Sequence, residues 1–99
     1  MRYTFEWDLV KARKNLRKHS IRFERAAEVF LDPLAVSLVD QEHSEAEERW
    51  VSMGRDGYGR LLVLIHAYSE VSAEESRIRL ISARKATKRE TAQHEETER

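Results

Sequence analysis

Ninety-nine residues at 11.7 kDa, with 40% apolar and 36% charged side chains, amount to one domain with a modest core. The longest unbroken apolar run, Leu61–Ile65, is far too short to span a bilayer, and Met1–Glu6 has no apolar stretch of the secretory kind. The absence of cysteine excludes disulfides, thiolate metal sites and cysteine nucleophiles, so the expectation is a soluble, cytoplasmic domain with no membrane partner.

The formal net charge of zero conceals segregation. Residues 1–31 carry eight Lys/Arg against four Asp/Glu, residues 32–54 one against six, residues 55–89 eight against four, and residues 90–99 one against four. If the two basic blocks meet in space, they form a positive surface that a polyanion would feel; ordinary solvated faces are the plainer reading.

Tyr3–Trp7, rich in aromatic and β-branched residues, reads as a strand. Asp8 is a candidate N-cap for a helix ending near His19, with Leu9, Ala12 and Leu16 on one face. Ser20 is placed to break that helix and cap the next, where Phe23, Ala26, Ala27 and Phe30 form an amphipathic stripe that Asp32-Pro33 stops. Leu34–Val39 reads as a strand. Asp40–Glu48 is an acidic loop with room for one helical turn, since Ser44-x-x-Glu47 matches a capping box. Arg49–Arg55 and Leu61–Tyr68 flank Asp56-Gly57-Tyr58-Gly59 as a β-hairpin. Ser69–Ser76 is a polar connection and Arg77–Ala83 a further strand. Thr87-x-x-Glu90 is a second capping box, placed to start a last helix, ahead of a segment, Thr91–Arg99, whose only apolar residue is Ala92 and which is expected to fray or to wait for a partner. The order implies an α+β domain over residues 1–90, two N-terminal helices packed on a mainly antiparallel sheet with a C-terminal helix, followed by a polar tail over 91–99.

No Gly-rich phosphate loop, G-x-S-x-G or H-E-x-x-H is present, and His19, His43, His66 and His94 share no ligand spacing, so neither a cofactor nor a metal is expected. His66 alternates with Leu62, Leu64 and Tyr68, the position of a satisfied, partly buried histidine. His19 ends a basic helical turn, where it either complements the helix dipole or faces a ligand. The densest feature is Arg77–Arg89. Alternation puts Arg77 and Arg79 on one strand face, and Arg84, Lys85, Lys88 and Arg89 gather where the strand becomes a helix. Cations at a helix N-terminus oppose its dipole, so they require an external anion or acidic neighbours; Arg55 and Arg60, flanking the hairpin turn, are within reach of the same anion. Trp50 and Tyr58 are candidates for base stacking, with a packed role the plainer one for Trp50.

Three stretches together resemble a known family: Phe5-Glu6-Trp7-Asp8 with Lys11, Asn15 and Lys18-His19, then Phe23-Glu24-x-Ala26 and Val29-Phe30-x-Asp32-Pro33; Glu48-Arg49 and Gly54-Arg55 ahead of Gly59-Arg60-Leu61-Leu62-Val63; and Ile78–Ala86 with Glu90. Their order and spacing are similar to those of the BrnT family of bacterial type II toxins, nearly to residue 90. Ser20 stands where that family has glycine, and His94 where its last helix is expected to carry an aromatic. The resemblance implies a RelE-like fold and an endoribonuclease toxin that cuts RNA without a metal and stops translation. It also implies neutralisation by a BrnA-type ribbon-helix-helix antitoxin, which alone brings the complex to operator DNA. On that reading Arg84 and Arg79 are the candidate phosphate contacts, His19 or Glu48 the proton carriers, and Arg55, Arg60, Arg77, Lys85 and Lys88 shape the field around the RNA. The alternative is a binding module that holds a partner protein or nucleic acid on the same basic face without cutting.

Overall fold

The structure, a computed structural model, describes residues 2–44 and 47–98. In chain order these form β1 (Arg2–Trp7), α1 (Leu9–His19), α2 (Phe23–Ala26), a 3-10 stretch (Ala27–Leu31), β2 (Val36–Val39), a short 3-10 turn (Gln41–His43), β3 (Arg49–Arg55), β4 (Leu61–Glu70), β5 (Glu75–Lys85) and α3 (Lys88–Glu98). The strands lie in the order β1-β5-β4-β3-β2, parallel only between β1 and β5 and antiparallel elsewhere. This is the mixed α+β arrangement expected from the sequence. Among the described residues no helix is long and apolar enough to cross a membrane.

Asp8 caps α1, its carboxylate accepting from the amides of Val10 at 2.8 Å and Lys11 at 3.1 Å. Ser20 ends the helix in the left-handed conformation (φ 59°, ψ 28°), with its N–H on the Leu16 carbonyl. It does not cap the next helix: Arg22 takes the N-cap position of α2 and makes no side-chain cap bond. The amphipathic helix expected through Phe30 is also a single α-turn that tightens into 3-10 geometry. Phe23, Ala26 and Val29 are all fully buried, and their spacing of three is the 3-10 period.

The core lies between this segment and one face of the sheet, where Ile21, Phe23, Ala26 and Val29 pack on Leu62, Leu64, Ile78, Leu80 and Ala83. Each Val, Leu, Ile or Phe among them contributes about 2 kcal/mol on burial, and the two alanines less. Phe5, Trp7 and Phe30 border it, with the Trp7 ring edge-on to Phe23 at 5.9 Å. In α1 the apolar stripe is weaker than its spacing suggests: Leu9 is exposed, and the helix's one buried residue is Asn15. Its carboxamide donates to the carbonyls of Ile21 (3.0 Å) and Ala83 (2.9 Å) and accepts from the Ala83 N–H (3.0 Å). β1 pairs with β5 only as far as Leu80, so Asn15 stands in for the missing strand at Ala83.

The expected capping box at Ser44 does not form. The Ser44 hydroxyl donates to the Asp40 carbonyl and accepts from the Arg49 amide at 3.0 Å, and Glu47 turns to Arg79; residues 45 and 46 lie outside the described residues. In the hairpin turn only Gly59 has a positive φ (80°). The capping box before α3 does form, with Thr87 and Glu90 exchanging bonds of 2.8 and 3.1 Å. The segment expected to fray is helical through Glu98 and buries His94.

Candidate functional site

The sheet has two faces, and β5 distributes its side chains between them. Ser76, Ile78 and Leu80 point to the side of α1, α2 and the 3-10 stretch, leaving Arg77 and Arg79 on the opposite face, where α3 also lies. Simple alternation would then send Arg84 to the helix side. Instead the pairing with β4 shifts between Ile65↔Ser82 and His66↔Leu80, so Ile81 is an extra residue. That bulge returns Ala83 to the core and puts Ser82 and Arg84 beside Arg79 and Arg77. Arg49 and Arg55 of β3 share this face, since Arg49 pairs through Ala67 with Arg79. Lys85, in register with Leu62, falls on the other side, and Lys88 is exposed in the first turn of α3.

The arginine face carries its own counter-charges. Arg84 grips Glu90 with both terminal nitrogens, at 2.8 and 3.0 Å, and donates to the Lys85 carbonyl at 3.3 Å. The Arg84 guanidinium, helped by the Thr87 amide, holds the Glu90 carboxyl down to about 2. The acidic neighbour that the cations before α3 require is therefore Glu90 itself. Arg79 pairs with Glu47, and Arg77 lies 3.9 Å from Glu6. Arg60 is fixed on the buried carboxylate of Asp56 at 2.7 Å. The Tyr58 ring is occupied by guanidinium groups, Arg25 at 4.3 Å and Arg60 at 5.4 Å. Arg55 donates to the Gly59 carbonyl at 3.1 Å, tying it to the turn.

The two candidate proton carriers lie apart. Glu48 accepts from the Trp50 indole N–H at 2.9 Å, and Trp50 packs edge-on to Tyr68 on the helix side of the sheet. His19, half-buried at the end of α1, lies in a groove of about 350 Å³ with Lys11, Lys14, Lys18 and Ser82. His66 is buried as its alternation implies, with Nε2 2.7 Å from the Ser52 hydroxyl and the Phe30 ring edge-on at 5.0 Å. Burial lowers its pKa, favouring the neutral ring. Among the described residues no group of three or more His, Asp or Glu side chains gathers as a metal cage.

Sequence reasoning left two groups out of the site. Arg49 joins the arginine face through strand register, and Lys11, Lys14 and Lys18 join His19 along one side of α1. The lysines had a signal in their i, i+3, i+7 spacing, eclipsed by the denser arginine run in β5.

Residues 7–90 match the family model described as the ribonuclease toxin, BrnT, of type II toxin-antitoxin systems. Among solved structures, the Brucella abortus ribonuclease toxin, BrnT, is similar in fold, with a TM-score of 0.57 and 24% identity over 89% of this chain and 100% of that one. No curated protein sequence matches the chain.

Proposed function

The chain belongs to the BrnT family of ribonuclease toxins of type II toxin-antitoxin systems, and we propose that it is a metal-independent endoribonuclease of RelE-like architecture that inhibits translation in the bacterial cytoplasm. The family implies an RNA substrate and an antitoxin partner. The proposal specifies that partner as a BrnA-type ribbon-helix-helix protein that also carries the complex to its operator DNA. The observation that carries the catalytic reading is the bulge at Ile81, which gathers Arg77, Arg79 and Arg84 on one face of the sheet.

The chemistry needs little machinery. The RNA 2′-hydroxyl forms a bond to the adjacent phosphorus as its proton passes to a base, and the bond from phosphorus to the 5′-oxygen breaks as that oxygen is protonated. The products are a 2′,3′-cyclic phosphate and a free 5′-hydroxyl. Between these steps the phosphorane carries extra negative charge, which the always-charged guanidiniums of Arg79 and Arg84 are suited to hold. A guanidinium has five N–H donors, so Arg84 retains donors for phosphate oxygens beyond the two bonds it gives Glu90. His19 or Glu48 moves the protons. Arg55, Arg60, Arg77, Lys85 and Lys88 add to the positive field.

Controlled expression in bacteria tests this, with growth and total RNA followed for the wild type, Arg84→Ala and Glu90→Gln. Arrest with new RNA fragments is expected for the wild type and for Glu90→Gln, which leaves the Arg84 guanidinium in place, and is lost in Arg84→Ala. A second reading, binding without cleavage, draws on the carboxylates already held by Arg77, Arg79 and Arg84. Normal growth with intact RNA on soluble wild-type expression favours it.

A further inference from the structure

Four arginines of β5 and the hairpin turn meet carboxylates: Arg77 on Glu6, Arg79 on Glu47, Arg84 on Glu90 and Arg60 on Asp56. Lys11, Lys14, Lys18 and His19 of α1 form no ion pair among the described residues. They line one groove between α1 and the free edge of β5, with the Ser82 hydroxyl at its side. Asp8, at the start of the same helix, accepts from the amides of Val10 and Lys11 and forms no ion pair with these lysines. Spacing of i, i+3 and i+7 stacks the three ammonium groups along about 10 Å of helix. Asn15, anchored to the Ala83 backbone, holds that helix side against β5. Three like charges crowd one face of α1, where the single carboxylate of Asp8, felt by Lys11 and Lys14, offsets only part of their repulsion.

We infer that this groove holds the sugar-phosphate backbone of single-stranded RNA, an assignment that rests on the ribonuclease reading above. Lysine is a point charge with mobile donors, suited to phosphates in varied positions rather than to one rigid pair. No Phe, Tyr or Trp lines the groove, whose one ring is the His19 imidazole, so ammonium groups outnumber stacking platforms and the contact is chiefly with the backbone, independent of sequence. The groove also opens where such a strand must pass. Ser82 shares its sheet face with Arg79 and Arg84 because of the bulge, so a backbone lying along α1 continues onto the arginines that are to hold the scissile phosphate.

The test uses the full chain and a fluorescent single-stranded RNA whose 2′-positions are methylated, which is bound but not cut by 2′-hydroxyl chemistry. Binding is followed by anisotropy from low to moderate salt for the wild type, for Lys11→Gln/Lys14→Gln/Lys18→Gln, and for the matching triple Lys→Arg variant. Losing three phosphate contacts lowers affinity about tenfold or more and shrinks the slope of log affinity on log salt by about 2. The arginine variant retains both, and unchanged melting temperatures show that the fold is intact. Equal affinity and slope in the glutamine variant overturn the assignment, as does a wild type that binds no probe. A glutamine variant that binds RNA normally but no longer binds its antitoxin overturns it too, and gives the groove to an acidic protein segment. Failure of the ribonuclease reading is distinct: the wild type then binds the methylated probe through the lysines yet leaves unmodified RNA whole.

Discussion

Glu90 has two structural duties, and Glu90→Gln separates them. Glutamine retains the capping role at the start of α3, because its carbonyl still accepts from the Thr87 amide, but it loses the charge that Arg84 grips. The depression of the Glu90 carboxyl from 4.5 to about 2 sets a ceiling of about 3 kcal/mol on that charge's contribution, at 1.36 kcal/mol per unit. The Arg84 side chain is 40% exposed and Glu90 25%, so solvent screening reduces the figure to about 1–1.5 kcal/mol. For a chain of this size that is a fall in Tm of about 6 °C at pH 7. The carboxyl's folded value lies below its unfolded one, so its contribution is complete above about 4.5 and lost as pH falls towards 2. The gap between wild type and variant should therefore shrink by about half at pH 3. Thermal melts followed by far-UV circular dichroism at pH 7 and pH 3 read both numbers. A variant melting within 1 °C of wild type at pH 7, or a gap equal at the two pH values, would refute the view that Arg84 and Glu90 fasten α3 to the sheet. The outcome also bears on Arg84→Ala, which removes a fastener as well as a phosphate contact, so its loss of toxicity is informative only beside the Glu90 variant.

Asn15→Ala strips partners from one buried amide and two carbonyls, a loss of about 3 kcal/mol that lowers the urea midpoint by about 2 M; a shift under 0.5 M means that water replaces the carboxamide. Ser20→Gly relieves a left-handed residue at φ 59° and should raise stability by about 0.5 kcal/mol net of glycine's unfolded-state entropy, seen as a small rise in Tm; a fall contradicts it. Gly54→Ala brings a methyl to 2.8 Å from Val29 Cγ1 and 2.9 Å from Ala35 Cβ, so overpacking of about 1–3 kcal/mol should appear as a lower denaturation midpoint, and an unchanged one means that Val29 moves aside.

What the sequence reveals here is what short-range chemistry decides. The Asp8 cap, the Thr87/Glu90 box, the hairpin around Gly59 and the strand Arg49–Arg55 all follow from residues within a few positions of one another. The segment from Phe23 is different, because Phe23 and Ala26 fit a period of 3.6 or of three. The tighter coil goes with burial of Val29 against Gly54, a contact across the fold that local spacing does not carry. The Ile81 bulge left a trace in the apolar spacing 78, 80, 83, but alternation over so few residues does not separate a bulge from the end of a strand. Helix α3 shows the opposite failure. Its lack of an apolar stripe argues for fraying, yet a capping box, good helix formers and one buried histidine hold it as a helix. Of the candidate site, the arginines were visible as a run of charge. Their partners Glu6, Glu47 and Glu90 were visible only as members of other charge blocks.

That distribution of partners explains how a chain of zero net charge still presents a face to a polyanion. Two of the carboxylates that neutralise the arginines of β5, Glu47 and Glu90, come from the blocks that are acidic in sequence, and the third, Glu6, is drawn out of the first basic block. Folding thus spends part of the acidic excess on the second basic block, while the first gives Glu6 to Arg77, takes Glu75 onto Arg2 and so keeps its positive excess. The lysines of α1 keep that excess because their helix packs on β5 through a neutral carboxamide, Asn15, rather than through a salt bridge. An acidic residue at position 15 would have anchored the helix as an ion-pair partner and cancelled the groove. A carboxamide satisfies the strand edge and leaves the charge in place for a ligand to neutralise.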